Sequence, residues 1–376
     1  MWTMLIGSDL VPTDLNYDLF EQGGAKALLG EKLQTELAAA DFRIFNLETP
    51  ITDFPAPIPK CGPNLIVPTR TIKGIKAIDP SLLALANNHI LDQGDDAMFA
   101  TMALLAQWEI PYVGAGKNLA EAMQPYIVEA EGRRIGIYNC AEHEFTIAED
   151  NKAGANPFDP LESPDHVAAL KEQCDYVIVL YHGGKEHYRY PTPNLQKVCR
   201  KLAEKGADLV VCQHSHCVGC VEEYEGCTIV YGQGNFMFVK YDNEFWRTGM
   251  LVKVDFDGEA RVSYVPVCKN DNVIRMAEGE EAEKILNGLF ERSAELGCPE
   301  KLEAHLRELS EQTKRMYLYH TAGGESVLGP ELDFKPEYSQ KALLRMMNYL
   351  ICEPHRELLT YAVTELYRQS KADGQA

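Results

Sequence analysis

The stretches YVIVLYHGGKE (176–186) and LVVCQHSHCVG (209–219) decide the fold. Each opens on a short apolar run rich in β-branched residues, Tyr176–Tyr181 and Leu209–Gln213. Runs without polar alternation read as strands buried on both faces, the condition of a parallel sheet. A helical stretch, Leu195–Lys205, separates them, and another, His166–Gln173, precedes the first. The pair therefore reads as part of a series of βαβ units.

The same texture continues outward. Trp2–Ile6 reads as a first strand, Ala25–Ala40 as helical and Phe42–Leu47 as a second strand. Leu82–Ala86 is a third strand, followed by a helix near Asp95–Glu109. Pro125–Ala130 and Arg134–Cys140 form a hairpin about Glu131-Gly132, and Met250–Phe256 and Ala260–Val267 another about Asp257-Gly258. Thr228–Tyr231 is a further strand. Helical units mixed with hairpins predict an α/β fold of two packed sheets flanked by helices. After Val267 the texture changes. Glu278–Leu296, Pro299–Tyr319, Glu337–Ile351 and Glu353–Ser370 are charged and Leu-spaced, as amphipathic helices are, with Gly323–Pro336 as a connector and a break near Pro354. We expect an α/β domain at 1–268 and an all-helical appendage at 269–376. The plainest role for that appendage is packing or homo-oligomer formation without chemistry.

The polar residues carry the functional signal through their position. Asp9 follows Leu5–Ile6, Glu48 follows Ile44–Phe45, and Asn88 and His89 follow Leu82–Ala86. His182 follows Val177–Tyr181, and His214 and His216 follow Leu209–Val211. In open α/β sheets the carboxyl ends of the strands are where ligands bind. A lone Asp after a strand is usually a turn residue, and a lone His is usually a satisfied polar group. Five strand ends converging on Asp, Glu, Asn and three His form a site. Carboxylates, an amide oxygen and imidazoles together suit Mn²⁺, Fe²⁺ or Zn²⁺, one or two ions per chain. Two such ions would share a carboxylate and clamp a phosphoryl displacement.

Composition narrows the class. The 376 residues carry 56 acidic and 36 basic side chains, a net charge of −20. That balance argues against nucleic acid and against an anionic membrane surface. It leaves room for an anionic small-molecule or polymer substrate, because a bound cation inverts the local field. No apolar run approaches the ~20 residues of a membrane span. Eleven cysteines are scattered through the chain, an odd count that reads as reduced thiols. MWTMLIGSD (1–9) has neither a basic start nor a long apolar run, and we expect a cytoplasmic location without a cleaved leader. CxxC at Cys217–Cys220 has no second CxxC at zinc-ribbon spacing, and GAGKN (114–118) is too short for a phosphate-binding loop.

GSDLVPT (7–13), FNLETPIT (45–52), LANNHILDQG (85–94), YHGGKE (181–186), QHSHCVG (213–219) and YGQGNF (231–236) occur in this order. Together they resemble the CapA family of capsule and poly-γ-glutamate biosynthesis proteins, a branch of the calcineurin-like metallophosphoesterases. The resemblance covers roughly residues 3–250. It implies a metallophosphoesterase sandwich and a set of roles. Asp9 matches a ligand of the first metal, Glu48 the bridging carboxylate and Asn88 a ligand of the second metal. His182 and His214 look like second-metal ligands, and His216 like a first-metal ligand. His89 matches the histidine that faces the substrate, with Asp92 placed to orient it. Two departures stand out. The histidine that many of these enzymes carry two residues after the first aspartate is Val11 here, and the bridging residue is Glu where Asp is usual.

Other residues are candidates for touching substrate: Lys60 in KCGPN (60–64), Glu142 and His143 with Glu144 after the strand ending at Cys140, and Glu186 four residues after His182. Each has an alternative as an ordinary loop residue. Asn235, in the glycine-rich YGQGNF turn, reads as a brace for the metal-site loop. The expected activity is hydrolysis of a phosphoester by a metal-bound hydroxide. The alternatives are action on amide or glutamyl substrates in polymer synthesis, metal-assisted Cα proton abstraction as in an epimerase, and a scaffold without catalysis.

Overall fold

A computed structural model describes residues 1–238, 242–270, 272–321 and 339–372. The connector read at Gly323–Pro336 lies outside the described residues. The strands are β1 (Trp2–Val11), β2 (Phe42–Leu47), β3 (Leu82–Ala84), β4 (Tyr112–Val113), β5 (Ala115–Gly116), β6 (Tyr126–Ala130), β7 (Arg133–Ala141), β8 (Gly154–Ala155), β9 (Tyr176–His182), β10 (Leu209–Gln213), β11 (Val221–Tyr224), β12 (Cys227–Val230), β13 (Asn235–Phe238), β14 (Thr248–Asp257), β15 (Glu259–Asn270) and β16 (Val273–Met276).

Two sheets carry the domain. The first runs β16-β15-β14-β1-β2-β3-β4, with β13 also paired to β1, and the second runs β11-β12-β10-β9-β7-β6. The expected pair of packed sheets flanked by helices is the architecture of the chain. Side chains alternate between two cores, as the strand period requires. Met4, Ile6, Ile44 and Leu82 of the first sheet meet Ile137, Ile178, Leu180, Leu209 and Val211 of the second. Val177, Val179 and Tyr181 point the other way, onto Val167, Leu170, Leu195 and Leu202 of the covering helices. Those helices are Ser163–Lys171 and Pro193–Glu204. The second starts sharply because Thr192 accepts a hydrogen bond from the Leu195 N–H and Pro193 follows it.

The hairpins fall where the turn residues place them. Glu131 and Gly132 have φ of 49° and 78°, as a two-residue hairpin turn requires. The helix read at Ala25–Ala40 is two pieces, Ala25–Leu28 and Glu31–Ala39. Gly30 breaks it by donating its N–H to Ile274 O at 2.8 Å. The first sheet also continues past residue 268, through β16, and the helices begin at Glu280.

Four helices form the C-terminal region: α1 (Glu280–Ser293), α2 (Pro299–Thr321), α3 (Gln340–Ile351) and α4 (Glu353–Ala372). α2, α3 and α4 have a small core of their own, Leu306, Tyr317, Tyr349 and Leu358. They are tied to the α/β domain by His143 Nδ1 to Glu353 Oε1 at 2.9 Å, by the Asn194 N–H donating to Glu357 Oε1 at 3.0 Å, and by stacking of Tyr190 on His305. No helix among the described residues is long and apolar enough to cross a membrane.

Candidate metal centre

Strand register brings the polar residues to one edge. In the first sheet Asp9 lies opposite Asn46 on one side and Asn235 on the other. In the second, His182 lies opposite Ala141 and Gln213, so Glu142 and His214 follow immediately. After β10 the chain turns tightly. His214 and His216 both adopt left-handed backbone, with φ of 84° and 53°. Such conformations cost about 1–3 kcal/mol each for a non-glycine residue, and cluster where a side chain must be aimed at a site. Here they turn both imidazoles back over the sheet edge.

The donors form two groups that share one residue. Glu48 Oε1 is 3.3 Å from His182 Nε2 and 4.0 Å from His214 Nδ1. Asp9 Oδ2 is 3.3 Å from His216 Nδ1. Donor atoms of Glu48, His182 and His214 all lie within 4.8 Å of one another, and so do those of Asp9, Glu48 and His216. Asn88 Oδ1 joins the first group, 3.0 Å from His182 Nε2. Glu48 is fully buried, yet neither of its carboxylate oxygens has a hydrogen-bond partner, and His214 Nδ1 has none. A buried carboxylate left in this state is costly unless a cation meets it. The donor set of carboxylate, amide oxygen and imidazole fits a divalent ion.

Protonation follows from burial. Desolvation, then the charge of Asp9, pushes Glu48 well above the usual carboxylate range. Burial takes His182 down to about 4 and His214 to about 3, so both are neutral imidazoles, the form that ligates metal. Burial also opposes charge on His216, but pairing with the Asp9 carboxylate outweighs it and holds His216 up at about 9. Asp9 and His216 are therefore an ion pair whose proton a metal would replace.

The candidate ligands are held by neighbouring polar residues. Asn46 Nδ2 donates to Asp9 Oδ1 at 2.8 Å and lies 3.2 Å from His182 Nδ1. Asn235 Oδ1 is 2.8 Å from His216 Nδ1. Lys269, buried and pushed down to about 7 by desolvation, donates to Asn235 O at 2.7 Å. His89 Nδ1 is 2.5 Å from Asp92 Oδ2, which leaves Nε2 facing the cavity, 4.0 Å from Glu48 Oε1. Asp92 is held in turn by the Lys60 ammonium and by the Leu65 N–H at 2.6 Å.

The remaining substrate candidates separate. A cavity of about 300 Å³ over the candidate metal ligands is lined by Lys60, Glu142, Glu144 and Glu186. Lys60 reaches it with its ammonium already committed to Asp92. His143 does not line the cavity; its ring pairs with Glu353 of α4. Val11, at the position where a histidine was to be expected, packs with Phe238 and Trp246, and Trp246 stacks on His216 at 4.7 Å. An apolar wedge thus stands where a fourth ligand of the group formed by Asp9, Glu48 and His216 would be.

The appendage is not remote from this chemistry. Met316 and Tyr317 of α2, Asn348 and Tyr349 of α3, and Pro354 and His355 of α4 line the same cavity. Three C-terminal helices thus wall the cavity. Sequence reasoning missed Asn46, Lys269, Tyr317 and His355. A polar residue inside FRIFNL and a lysine inside PVCK were the available signals for the first two. The helix residues gave none, because nothing local ties them to a sheet edge about two hundred residues away.

The model of the family described as "Bacterial capsule synthesis protein PGA_cap" matches residues 4–240. The chain belongs to this family. Among relatives of PGA_cap type, "PGA biosynthesis protein CapA" of Bacillus subtilis (strain 168) is 26% identical over 257 residues, 66% of this chain and 66% of that protein. "Capsule biosynthesis protein CapA" of Bacillus anthracis is 27% identical over 207 residues, 52% of this chain and 50% of that protein. The chain thus spans about half to two thirds of the length of these relatives. Solved structures with a similar fold include a novel phosphatase from Mycoplasma pneumoniae, with TM-score 0.46, 12% identity, and 72% of this chain and 94% of that one covered. A 5'-nucleotidase precursor from Thermus thermophilus has TM-score 0.42 and 15% identity, covering 76% of this chain and 58% of that one. The PGA_cap match ends before the helices that wall the cavity.

Proposed function

We propose that Asp9, Glu48 and His216 hold one divalent cation and Glu48, Asn88, His182 and His214 a second, and that this member of the PGA_cap family hydrolyses a phosphoester. The observation that carries the reading is Glu48, common to both donor groups and buried with both oxygens unpartnered. Bound Mn, Fe or Zn supplies a nucleophile at neutral pH and neutralises charge on a phosphoryl group. The chain's own residues do the rest. His89 presents Nε2 to the cavity, where its imidazolium form would protonate the leaving oxygen; burial and the Lys60 charge lower its pKa, so that form is populated toward acid pH. Asp92 fixes the tautomer through Nδ1, and Lys60 fixes Asp92. Glu142 accepts from the Gly184 N–H at 3.0 Å and lies 3.6 Å from His214 Nε2, so it orients that imidazole. Val11, Phe238 and Trp246 keep water from one flank.

A second reading keeps the ions and changes the substrate. Glu142, Glu144 and Glu186 crowd the cavity, which disfavours a phosphate dianion and suits an uncharged carbonyl. Together with the names of the relatives, this supports action on an amide or glutamyl bond in anionic-polymer synthesis. Elemental analysis of protein purified without chelator, beside turnover of p-nitrophenyl phosphate, bis(p-nitrophenyl) phosphate and γ-glutamyl amides, tests both. Two ions per chain and phosphoester turnover that His89→Ala abolishes support the first reading. Turnover of γ-glutamyl amides alone supports the second. Metal without turnover of either leaves a scaffold, and no retained or reloadable metal overturns the ligand assignment.

A further inference from the structure

A third cluster of donors stands where α3 and α4 meet the cavity. Glu144, Cys352 and His355 each offer one donor atom, and these lie within 4.8 Å of one another. Cys352 is fully buried at the break between α3 and α4. Its Sγ is 3.9 Å from Glu144 Oε1 and 3.9 Å from Glu142 Oε1, and His355 Nε2 is 3.8 Å from Glu144 Oε1. The two sulfur contacts are long thiol hydrogen bonds, and the His355 contact is longer than a hydrogen bond. The separations from Glu144 Oε1 to Cys352 Sγ and to His355 Nε2 are near those that ligand atoms keep when each stands about 2.0–2.3 Å from one tetrahedral ion. His355 is aimed by its other nitrogen, with Nδ1 3.0 Å from the Tyr317 hydroxyl, the arrangement that orients a histidine ligand.

We propose that Glu144, Cys352 and His355 form a separate site for a thiophilic divalent cation such as Zn²⁺, which clamps the C-terminal helices over the candidate metal centre. Thiolate, imidazole and carboxylate are the zinc donor types, and none of the three core ligands belongs to the groups around Glu48. On binding, the Cys352 thiol releases its proton to solvent and its sulfur lone pair goes to the ion. Glu142 connects the two centres, since one of its oxygens faces both His214 and Cys352. Glu144 does so as well, since its Oε2 accepts from the Asn88 amide at 3.2 Å. The clamp therefore ties a wall of the cavity to the residues that hold the ligands in place.

Cobalt substitution tests this on the full chain. Thiolate-bound Co²⁺ has a near-ultraviolet charge-transfer band that oxygen and nitrogen ligands do not give, and the centre around Glu48 has no thiolate. The wild type loaded with Co²⁺ is expected to show that band, and Cys352→Ser to lose it together with one zinc per chain by elemental analysis. Asp9→Asn is expected to lose metal and keep the band, so failure of the proposed hydrolytic centre is visible apart from failure of this site. No band in the wild type, or an unchanged band in Cys352→Ser, overturns the proposal. If Cys352→Ser does not fold, His355→Gln carries the test: a weakened or shifted band supports the site, and an unchanged one overturns it.

Discussion

Asp92→Asn is the substitution whose cost follows most directly from the structure. Asp92 and Lys60 form an ion pair whose side chains are 0% and 2% exposed, so water does not screen it. The same carboxylate binds His89 Nδ1 at 2.5 Å and the Leu65 N–H at 2.6 Å. Asparagine keeps the shape and removes the charge, which strands the Lys60 ammonium. Removing one partner of a buried pair costs about 3–5 kcal/mol. Lys60→Met leaves Asp92 two of its three partners and costs less, about 1–3 kcal/mol. The double variant removes both charges, so its cost falls short of the sum by about 2 kcal/mol. Urea unfolding at fixed pH and fixed metal concentration reads all three, and the metal must be fixed because it binds only the folded state. A cost for Asp92→Asn below about 1 kcal/mol, or strictly additive costs, would refute the buried pair that holds His89.

Other outcomes follow from the same geometry. Glu48→Gln is expected to lose metal at both positions, whereas Asn88→Ala loses only one equivalent; elemental analysis distinguishes them, and equal losses would argue against a shared carboxylate. Gly114 has φ +92°, and a Cβ there would collide with Asn139 Oδ1, which accepts from the Ala86 N–H at the start of the Asn88–His89 loop. Gly114→Ala is therefore expected to destabilise by about 1–3 kcal/mol and to weaken metal retention, and a neutral variant would dismiss the link. The His143–Glu353 pair makes docking of α4 depend on pH. The hydrogen bond to Glu353 raises His143 above 6.5 against the effect of burial, so this contribution fades as pH rises through the raised value. For Glu353 burial acts upward, but the His143 bond wins and lowers it below 4.5, so its contribution fades as pH falls through the lowered value. The tie is at full strength between about 4.5 and 6.5. His143→Gln is expected to flatten the loss of α4 amide-exchange protection above that window, and an unchanged profile would rule the pair out as the cause.

Most of the α/β domain was written into the sequence. Runs such as YVIVLY and LVVCQ have one stable environment, a strand covered on both faces, and the candidate ligand residues follow those runs directly. Asp9, Glu48, His182 and His214 were legible because covalent adjacency to a strand fixes the edge on which a side chain emerges. Periodicity says which face of an element is buried but not what buries it. Only tertiary structure decided that Asn46 links Asp9 to His182, that Lys60 is committed to Asp92 and that Val11 is part of an apolar wedge. It alone decided that Tyr317, Cys352 and His355 stand beside residues from the other end of the chain. An amphipathic helix carries its apolar stripe in its sequence, but the surface that accepts the stripe is assembled from distant segments. The wall of this cavity is therefore a property of the folded chain rather than of any stretch within it.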